Sequence, residues 1–383
     1  MVKIIVLGGG GAMGMVTVRD LTESPQVSEV IIGDASVKQA ETVAKWAGSE
    51  KVSLRRVDIA DSKGLAMAIS DVDAVANAAP YNLNLHVTRA AIEAQKPLTD
   101  LGGVYYMTLE QLKLDEKARE AGVTVVLGCG VAPGLADVLA KYGADRLDKV
   151  DEVHIRYGEV NLEPARYKWS FRTVLEEYTE GPVVYVNGEF KQLHPFSGKH
   201  VFKFPMPIGE RSCCYALYSG LATLPKSVGK HVQAVDCAMS YVDEDEQRIH
   251  FLEDMGLTRR EPVKVDAVEI SPREFLLKCA PPPDVNVRDV AGVVVEVSGE
   301  KDGDKAKYTY SVVCPFHEKY GVSALAYLTG MPMSIVAQML AKGDIAEKGV
   351  LPAELGVKPV PFFTELAKRG VKILEATQTL REI

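Results

Sequence analysis

The stretch V-L-G-G-G-G-A-M-G, from Val6 to Gly14, decides the fold of this chain. It closes an apolar run, Val2–Leu7, that is typical of a short buried strand. Gly9, Gly11 and Gly14 fit the spacing G-x-G-x-x-G. In that spacing one glycine permits a tight turn, the next lets a pyrophosphate approach the backbone, and the third lets a helix lie close to the sheet. The stretch therefore predicts a strand, a phosphate-binding turn and a helix whose free amides face the phosphates.

An acidic residue at the end of the second predicted strand indicates which dinucleotide binds here. Asp34 lies 20 residues after Gly14, where a carboxylate accepts hydrogen bonds from ribose hydroxyls and repels the 2′-phosphate of NADP. No arginine follows it directly, so we expect NAD as the cofactor rather than NADP. The alternative interpretation is a purely structural turn in which Asp34 caps a helix. The residues expected to bind the cofactor here are Gly9, Gly11, Ala12, Met13, Gly14 and Asp34.

Two further segments are expected to border the cofactor. Asp58 ends the third predicted strand, where it either meets the adenine edge or caps a turn. The sequence N-A-A-P-Y, residues 77–81, follows the fourth strand, and the carboxyl ends of parallel strands border the ligand crevice. The nicotinamide ribose is therefore expected beside Ala78, Ala79 and Pro80.

The first 134 residues alternate short apolar runs with helical patterns, which predicts an α/β domain with a doubly wound parallel sheet, the Rossmann architecture. Ser36 and Gln39 form a capping box ahead of a helix that ends at Gly48. The six apolar runs are residues 2–7, 29–33, 51–57, 73–78, 97–101 and 123–127.

The rest of the chain divides into two parts. From about residue 150 the apolar period changes to two, which predicts an inserted second α+β domain, residues 135–320, for substrate binding and dimerisation. Its sheet is expected to be mixed and mainly antiparallel, with a hairpin at Asp302 and Gly303. Residues 321–383 are expected to form a helical segment that returns to the first domain, interrupted at residues 330–332.

The composition narrows the class of protein. The chain has 383 residues, of which 47% are hydrophobic and 25% charged, and these values are ordinary for a globular enzyme. Its net charge of −8, with no block of lysine and arginine, argues against nucleic acid or a membrane as partner. The sequence contains no long uncharged apolar run, so no membrane span is predicted. The six cysteines form no C-x-x-C pair and have no histidine cluster nearby, so we expect reduced thiols, a cytoplasmic protein and no metal site.

Residues for the chemistry are expected at the carboxyl ends of the fourth to sixth strands. Tyr81 follows the fourth strand and could orient a substrate by hydrogen bonding. Asp100 ends the fifth and could bind or deprotonate a substrate ammonium, although backbone amides could equally hold its carboxylate. Cys129 follows the sixth and is expected to pack beside the substrate rather than act as a nucleophile, because no histidine is close in sequence.

A second segment combines cations, aromatic rings and hydroxyls within a few residues. The sequence R-Y-K-W-S-F spans residues 166–171, and Arg172 follows it. Such a mixture suits a pocket for an amino acid, with cations that bind a carboxylate. The alternative is a joint between a strand and a helix with Trp169 in the core. The residues expected to bind substrate are Tyr167, Lys168, Trp169, Arg172 and Cys129.

With these residues in view, the chain resembles the saccharopine dehydrogenase family, in its short form that includes lysine 6-dehydrogenases. The resemblance covers nearly the whole length, and the complete set of motifs in order is specific whereas each motif alone is not. The motifs are the glycine stretch, N-A-A-P-Y-N (77–82), T-D-L-G-G (99–103), A-G-V-T-V-V-L-G-C-G-V-A-P-G (121–134), Y-K-W-S-F (167–171), L-E-E-Y-T-E-G-P (175–182) and K-G-V-L-P-A-E (348–354).

The resemblance implies an NAD(P)-linked step at a carbon–nitrogen bond of lysine or of a lysine conjugate. It places Tyr81 and Asp100 at the substrate end of the cleft, and Lys168 and Trp169 in the substrate pocket. It also implies a homodimer. Two alternatives stay open: a relative that forms polyamines, which would want a more acidic pocket with fewer cations, and a non-catalytic sensor that binds NAD.

Overall fold

The structure is a computed structural model that describes residues 1–381, apart from the side chain of Asp243. Its strands, in chain order, are β1 (Val2–Leu7), β2 (Val27–Asp34), β3 (Val52–Arg56), β4 (Ala74–Asn77), β5 (Leu98–Asp100), β6 (Thr124–Leu127), β7 (Lys149–Asn161), β8 (Val183–Val186), β9 (Glu189–Gln192), β10 (His200–Lys203), β11 (Glu210–Tyr215), β12 (Ala234–Ser240), β13 (Val263–Val265), β14 (Val268–Ile270), β15 (Asp289–Lys301), β16 (Asp304–Pro315), β17 (Gly349–Pro352) and β18 (Ile373–Leu380).

Helices cover the faces of the sheets, and two short 3₁₀ turns, Tyr81–Leu83 and Ser219–Ala222, lie near strand ends. The α-helices are α1 (Ala12–Glu23), α2 (Val37–Ala47), α3 (Ser62–Ala68), α4 (Asn84–Glu93), α5 (Tyr105–Leu112), α6 (Asp115–Glu120), α7 (Leu135–Asp145), α8 (Phe171–Thr179), α9 (Leu224–Val228), α10 (Asp243–Asp254), α11 (Pro272–Cys279), α12 (Ala324–Lys342), α13 (Ala353–Gly356) and α14 (Pro359–Lys368).

The first sheet is parallel and has the order β17-β6-β5-β4-β1-β2-β3. The strand order reverses between β1 and β4, which is where the ligand crevice of a doubly wound sheet opens. All six predicted strands are present, and the predicted Rossmann architecture is confirmed. Sequence analysis missed the seventh strand, β17, which comes from the far end of the chain and pairs with β6.

The second sheet has the order β10-β11-β12-β7-β15-β16-β18, with β8 and β9 attached at β12. Only the β12–β7 pair on this path is parallel, so the predicted mixed and mainly antiparallel sheet is confirmed. The predicted hairpin joins β15 to β16, and Asp302 and Gly303 both have the positive φ that such a tight turn requires.

Helix α12 packs between the two sheets. It contacts α1 closely, because a side chain at Gly330 would lie 2.7 Å from Cβ of Val16. The predicted interruption at residues 330–332 is wrong, since the helix runs through Pro332. By length and hydropathy α12 alone among the described helices qualifies as a membrane span, but 89% of its apolar window is buried inside the protein. Its apolar surface is therefore explained by packing between the sheets, which stabilises the helix despite the proline.

The terminal segment, described as far as residue 381, differs from the prediction for residues 321–383, of which residues 382 and 383 lie outside the described part. It contains two strands besides its helices, and it serves both sheets: β17 extends the first sheet and β18 pairs with β16 in the second. The segment does reach the first sheet through β17, but its description as helical is wrong, because β17 and β18 are strands and β18 joins the second sheet. The largest core cluster contains residues of both sheets, such as Ile4 and Val295, so both sheets share one core.

Of the two hydrogen bonds in the predicted capping box of α2, one is present, while the amide of Ser36 donates to Asp34 rather than to Gln39. The hydroxyl of Ser36 accepts a hydrogen bond from the amide of Gln39, and α2 ends at Gly48 in a left-handed conformation. Asp61 caps α3 through the amide of Gly64. These caps are hydrogen bonds between residues close in sequence, so local spacing is enough to predict where α2 and α3 begin.

Candidate cofactor and substrate site

A cavity of about 520 Å³ opens where the order of the first sheet reverses. One part lies against the glycine loop and the ends of β2 and β3, and another lies against the second sheet. Residues that line the second part come from strands, turns and helices far apart in sequence: Tyr157, Trp169, Glu177, Leu217, Tyr218 and Met239. The cavity therefore has an end suited to a dinucleotide and an end suited to another molecule.

The glycine loop forms the first end as predicted, with one difference in its assignment. Gly11, Ala12 and Met13 line the cavity where α1 begins. Gly9 and Gly14 do not line it but pack inward; a side chain at Gly14 would overlap the carbonyl oxygen of Gly8. They shape the loop for the cofactor without facing it.

Gly8 is a part of the loop whose role sequence analysis missed. It has φ +68°, and a Cβ there would lie 2.8 Å from the amide nitrogen of Ala79. The loop after β1 therefore passes directly against the loop after β4. Only glycine satisfies both the positive φ and this contact.

Asp34 lies at the end of β2 and lines the cavity. Its Oδ2 accepts a hydrogen bond from the amide of Gly10 at 3.0 Å, and its Oδ1 accepts one from Ser36 at 2.9 Å. These contacts fix the carboxylate and leave lone pairs of both oxygens for the ribose of an adenosine. Asp58 also lines the cavity, and its Oδ1 accepts a hydrogen bond from the amide of Ala60, so it both turns the chain and borders the cavity.

The loop after β4 completes the dinucleotide end. Ala78, Ala79 and Pro80 line the cavity, as expected. The loop is held by buried amides: Nδ2 of Asn77 donates to Oδ1 of Asn84, whose own Nδ2 donates to the carbonyl of Gly102. Gly8 and Gly11 present backbone without side chains, as the pyrophosphate of a dinucleotide requires, and Asp34 presents a carboxylate for its ribose.

Tyr81 lines the cavity, in the place that sequence analysis assigned to a substrate-orienting residue. A side chain at Gly103 would overlap its ring, so glycine is needed at that position. Burial, followed by the nearby carboxylate of Glu176, raises the pKa of the Tyr81 hydroxyl. The hydroxyl therefore stays protonated at neutral pH and can donate a hydrogen bond.

Asp100 does not occupy a catalytic position. It is completely buried, and it is not part of the cavity wall. Its Oδ1 accepts hydrogen bonds at 2.8 Å from the amides of Gly102 and Gly128, and its Oδ2 accepts one from Gln111 at 2.7 Å. The prediction that it contacts substrate is not supported; its carboxylate instead fixes the two loops that follow β5 and β6.

Cys129 is likewise buried behind the cavity rather than in its wall. Its side chain is 1% exposed, and burial raises the pKa of the thiol, which keeps it protonated. Its Sγ lies 3.9 Å from the carbonyl oxygens of Val126 and Leu127. It packs, as sequence analysis favoured, but its assignment to substrate binding is not supported.

The cations of the segment 166–172 are all paired. Lys168 is 2% exposed, and its Nζ lies 2.8 Å from Asp289 and 2.9 Å from Glu159. Arg172 forms two hydrogen bonds with Glu274. Tyr167 donates a hydrogen bond to the carbonyl of Pro281. The predicted substrate contacts of Tyr167, Lys168 and Arg172 are not supported, because none of the three lines the cavity and each is bonded to another part of the protein. For Lys168 the physical reason is that a buried cation requires its own counter-ions. Trp169 does line the cavity, as predicted.

Sequence analysis missed Glu177, which lies two turns into α8 and lines the cavity. Its Oε2 is buried and has no hydrogen-bond partner among the described residues. Burial, followed by the charge of Glu159, raises the pKa of the Glu177 carboxyl to about 8. Helical spacing could have revealed it, because Ser170, Thr173 and Glu177 share one face of α8, and all three line the cavity.

Tyr218 is another missed residue of the cavity wall. Its hydroxyl donates a hydrogen bond over 2.5 Å to Oδ1 of Asp137, whose Oδ2 accepts one from the amide of Gly134. Burial, followed by the nearby Glu354, raises the pKa of Asp137. This arrangement fixes the ring of Tyr218 against the cavity.

The charge of the cavity wall is distinctive. None of the described residues that line it is lysine, arginine or histidine, whereas Asp34, Asp58 and Glu177 are acidic. Among residues 1–381, leaving aside the side chain of Asp243, no group of three histidine, cysteine or carboxylate side chains is arranged to hold a metal ion. The far end of the cavity thus offers aromatic rings, hydroxyls and one carboxyl.

Comparison with known proteins agrees with this geometry. Two family models match consecutive parts of the chain: the Saccharopine dehydrogenase NADP binding domain over residues 4–126 and the Saccharopine dehydrogenase C-terminal domain over residues 130–371. The chain belongs to the saccharopine dehydrogenase family. The family membership and the NAD(P)-dependent oxidoreductase predicted from the sequence are thereby confirmed.

Curated relatives that match over nearly their whole length carry names from polyamine chemistry. Carboxyaminopropylagmatine dehydrogenase from a Synechocystis species is 24% identical over 394 residues, which cover 97% of this chain and 96% of the relative. Carboxynorspermidine synthase from Vibrio cholerae is 24% identical over 412 residues, which cover 96% and 95%. At 24% identity, these names state what the relatives do and do not establish the substrate of this chain.

Two solved structures show the same fold. Apo saccharopine dehydrogenase (L-Glu forming) from Saccharomyces cerevisiae matches with a TM-score of 0.73 and 19% identity, and covers 99% of this chain and 100% of its own. The homospermidine synthase from Legionella pneumophila, in complex with NAD, matches with a TM-score of 0.68 and 12% identity, over 98% and 91%. The fold of this chain is therefore that of the saccharopine dehydrogenase family.

Proposed function

We propose that this member of the saccharopine dehydrogenase family forms or cleaves a carbon–nitrogen bond of a secondary amine. The molecule that contains this amine is a polyamine or diamine that carries a carboxyl group. The observation that carries this proposal is Glu177: a buried carboxyl without a hydrogen-bond partner faces a cavity whose wall has no lysine, arginine or histidine among the described residues. An ammonium or iminium group is the ligand that such a site lacks.

The rings around Glu177 support an amine substrate. Trp169, Tyr157 and Tyr218 line the same part of the cavity, and the faces of aromatic rings attract cations. The methylene groups of an alkylamine pack well against rings and against Met239. A more acidic pocket with fewer cations was the feature that sequence analysis associated with polyamine-forming relatives, and the full-length relatives bear such names.

The reaction balances as a reductive condensation. An amine and an aldehyde lose water to form an imine, whose carbon then gains a hydride and whose nitrogen gains a proton; the oxidative direction reverses these steps. The nicotinamide, when bound, supplies or accepts the hydride. Glu177 binds the amine and can hold the proton at Oε2, since its pKa of about 8 lies close to neutral pH. Tyr81 donates a hydrogen bond and limits where the substrate lies.

Lysine, or an amino acid derived from it, is the second substrate class. Ser170 and Thr173 line the cavity at the beginning of α8, where a helix favours an anion such as a carboxylate. Against this class, Lys168 and Arg172 are engaged by Asp289 and Glu274 and do not reach a carboxylate in this cavity. We therefore propose lysine and its derivatives only as the second candidate for the substrate, after carboxylated polyamines.

We also propose NAD as the preferred cofactor, although the matching family model carries NADP in its name. The support is Asp34, whose fixed carboxylate would repel a 2′-phosphate. Titration of the protein with NAD and NADP tests this: we expect tighter binding of NAD, and a Asp34→Asn variant that binds the two more equally. Tighter binding of NADP by the wild-type protein would contradict it.

Two further expectations stand as proposals. A cytoplasmic location is supported by the six cysteines, which are all free and, except for Cys279, buried. A homodimer rests on the family resemblance alone, and sedimentation of the purified chain would test it.

Turnover assays test the reaction. Absorbance of the reduced cofactor is followed with diamines plus an amino-acid aldehyde, with carboxylated polyamines, with saccharopine and with L-lysine. We expect turnover with a carboxylated polyamine, and a loss of at least tenfold in kcat/KM for Glu177→Gln because a neutral amide binds an ammonium weakly. Turnover of lysine or saccharopine alone would favour the second class. NAD binding without turnover of any of these substrates would favour a sensor.

A further inference from the structure

A second cavity of about 230 Å³ adjoins the first, and the proposed reaction at Glu177 leaves it without a ligand. Tyr81 and Leu217 line both cavities, so they form the wall between the two. The remaining lining of the second cavity combines apolar and charged side chains: Val104, Tyr106, Met107, Glu110, Glu176, Glu180 and Arg260. A molecule bound beside Glu177 and Tyr81 would have this space next to it.

Arg260 is the cation of this second cavity. Its Nη2 donates hydrogen bonds to Glu176 at 2.6 Å and to Glu180 at 2.8 Å. Its Nε and Nη1 donate no hydrogen bond within the described part of the chain, and its side chain is 56% exposed. The guanidinium is therefore held in place at one nitrogen, while the N–H groups of Nε and Nη1, which point in different directions, remain for ligand oxygens.

Glu176 gives the second cavity its anionic side. Its side chain is 3% exposed, and its Oε1 accepts no hydrogen bond, although that oxygen lies 3.1 Å from Nη2 of the buried Arg273. Glu180 and Glu110 lie around the same cavity and are partly exposed. Carboxylates and a guanidinium thus stand side by side in one small space.

We infer that the second cavity binds the α-amino-acid head group of the substrate, with its carboxylate on Arg260 and its ammonium among Glu176, Glu180 and Glu110. A zwitterion matches this lining, because its carboxylate gives Arg260 a new partner when its ammonium binds to Glu176 and Glu180, whereas an ammonium alone gives Arg260 none. The inference rests on the proposed function, since it assumes that the other end of the same molecule presents its amine to Glu177. Arg260 then determines specificity for amino acids over simple amines.

Binding of matched ligands tests the inference without requiring turnover. Calorimetry measures the affinity of the full chain for two pairs that differ only in a carboxyl group: L-lysine against 1,5-diaminopentane, and L-2,4-diaminobutyrate against 1,3-diaminopropane. We expect at least one amino acid to bind ten times more tightly than its partner. Arg260→Gln should remove that preference by weakening the amino acid about tenfold to a hundredfold, as for a lost charge-assisted hydrogen bond.

The control variant is Arg288→Gln, which breaks an exposed pair with Glu318; neither residue lines either cavity, so this variant should keep the preference. Glu180→Gln should weaken the amino acids as well, since it removes a carboxylate from the ammonium. The inference is overturned if Arg260→Gln leaves the amino acids unchanged, if it weakens both members of a pair equally, if the diamines bind more tightly, or if no ligand binds at millimolar concentration. A Glu177→Gln variant that binds and turns over amines normally would defeat the proposed function while leaving the preference due to Arg260 measurable.

Discussion

The side-chain amide of Gln111 donates a hydrogen bond over 2.7 Å to Oδ2 of Asp100, inside a network that is closed to the cavity. The same Gln111 nitrogen donates to Oγ1 of Thr88, and the other oxygen of Asp100 accepts from Gly102 and Gly128. One buried carboxylate therefore connects helices α4 and α5 to the loops after β5 and β6. Both loops border the cavity, so Asp100 acts on the site through backbone position.

The first prediction follows from this network. Asp100→Asn keeps an oxygen for the glycine amides but turns its amide group toward the donor of Gln111, so we expect a loss of about 1–3 kcal/mol in the free energy of unfolding. Urea denaturation measures it. Asp100→Ala, which leaves the amides of Gly102 and Gly128 without an acceptor and leaves Gln111 with Thr88 alone, should lose more. The pH profile of kcat/KM should keep its shape in Asp100→Asn; wild-type stability together with a lost ionisation in that profile would return Asp100 to a catalytic role.

The second prediction concerns Gly8 and separates backbone strain from steric overlap. Gly8→Ala and Gly370→Ala both place alanine at a positive φ, +68° and +76°, which costs about 1–2 kcal/mol. Gly370 has no atom within 4 Å of the added carbon, whereas Gly8 faces the backbone of Ala78 and Ala79 at 2.8–2.9 Å. We therefore expect Gly8→Ala to unfold more easily than Gly370→Ala and to bind NAD at least tenfold more weakly. Equal effects of the two variants on stability and on NAD affinity would contradict the close approach of the two loops.

The third prediction contrasts two cations that sequence analysis assigned to the substrate. Lys168→Met leaves Asp289, which is completely buried, without its main counter-ion, so we expect a loss of about 3–5 kcal/mol in the free energy of unfolding. Arg172→Met breaks a partly exposed pair with Glu274 and should cost less than about 1 kcal/mol. Denaturant unfolding measures both. A stable Lys168→Met protein with a raised KM would show instead that Lys168 binds substrate.

The contrast between these residues shows what the sequence could reveal. The glycine loop, Asp34 and the caps of α2 depend on neighbours within one strand, turn and helix, so their spacing predicts them. Lys168 depends on Asp289, a residue 121 positions away. No local pattern indicates that such a partner will bury the lysine, and the cation therefore resembled a substrate contact.

Other errors have similar causes. Strand β17 has four residues and is stabilised by pairing with β6 rather than by its own pattern. Pro332 lies inside α12 because packing between two sheets outweighs its local preference. Glu177 had a local signal, its helical spacing from Ser170 and Thr173, but which face of α8 meets the cavity depends on the second sheet. The dinucleotide end of the site was therefore predictable, and most of the substrate end was not.

The fourth prediction uses the ionisation of Glu177. In the unfolded chain this carboxyl has a pKa near 4.5, and burial raises it to about 8 in the folded protein. The folded state thus binds a proton more tightly than the unfolded state between these values. The free energy of unfolding should consequently fall as the pH rises from about 4.5 to about 8, and this contribution should be absent from Glu177→Gln.

The same ionisation should control binding of an amine. An ammonium requires the carboxylate form, so the association constant of an amine should fall up to tenfold for each pH unit below about 8 and level off above it, until the amine itself loses its proton. Calorimetry between pH 6 and 9 measures this slope. Glu177→Gln should bind more weakly and show no slope in this range, whereas Glu189→Gln, an exposed control on β9, should keep the wild-type curve. If Glu177→Gln retained the slope, another group would be the one that meets the amine, because an amide has no proton to lose between these pH values.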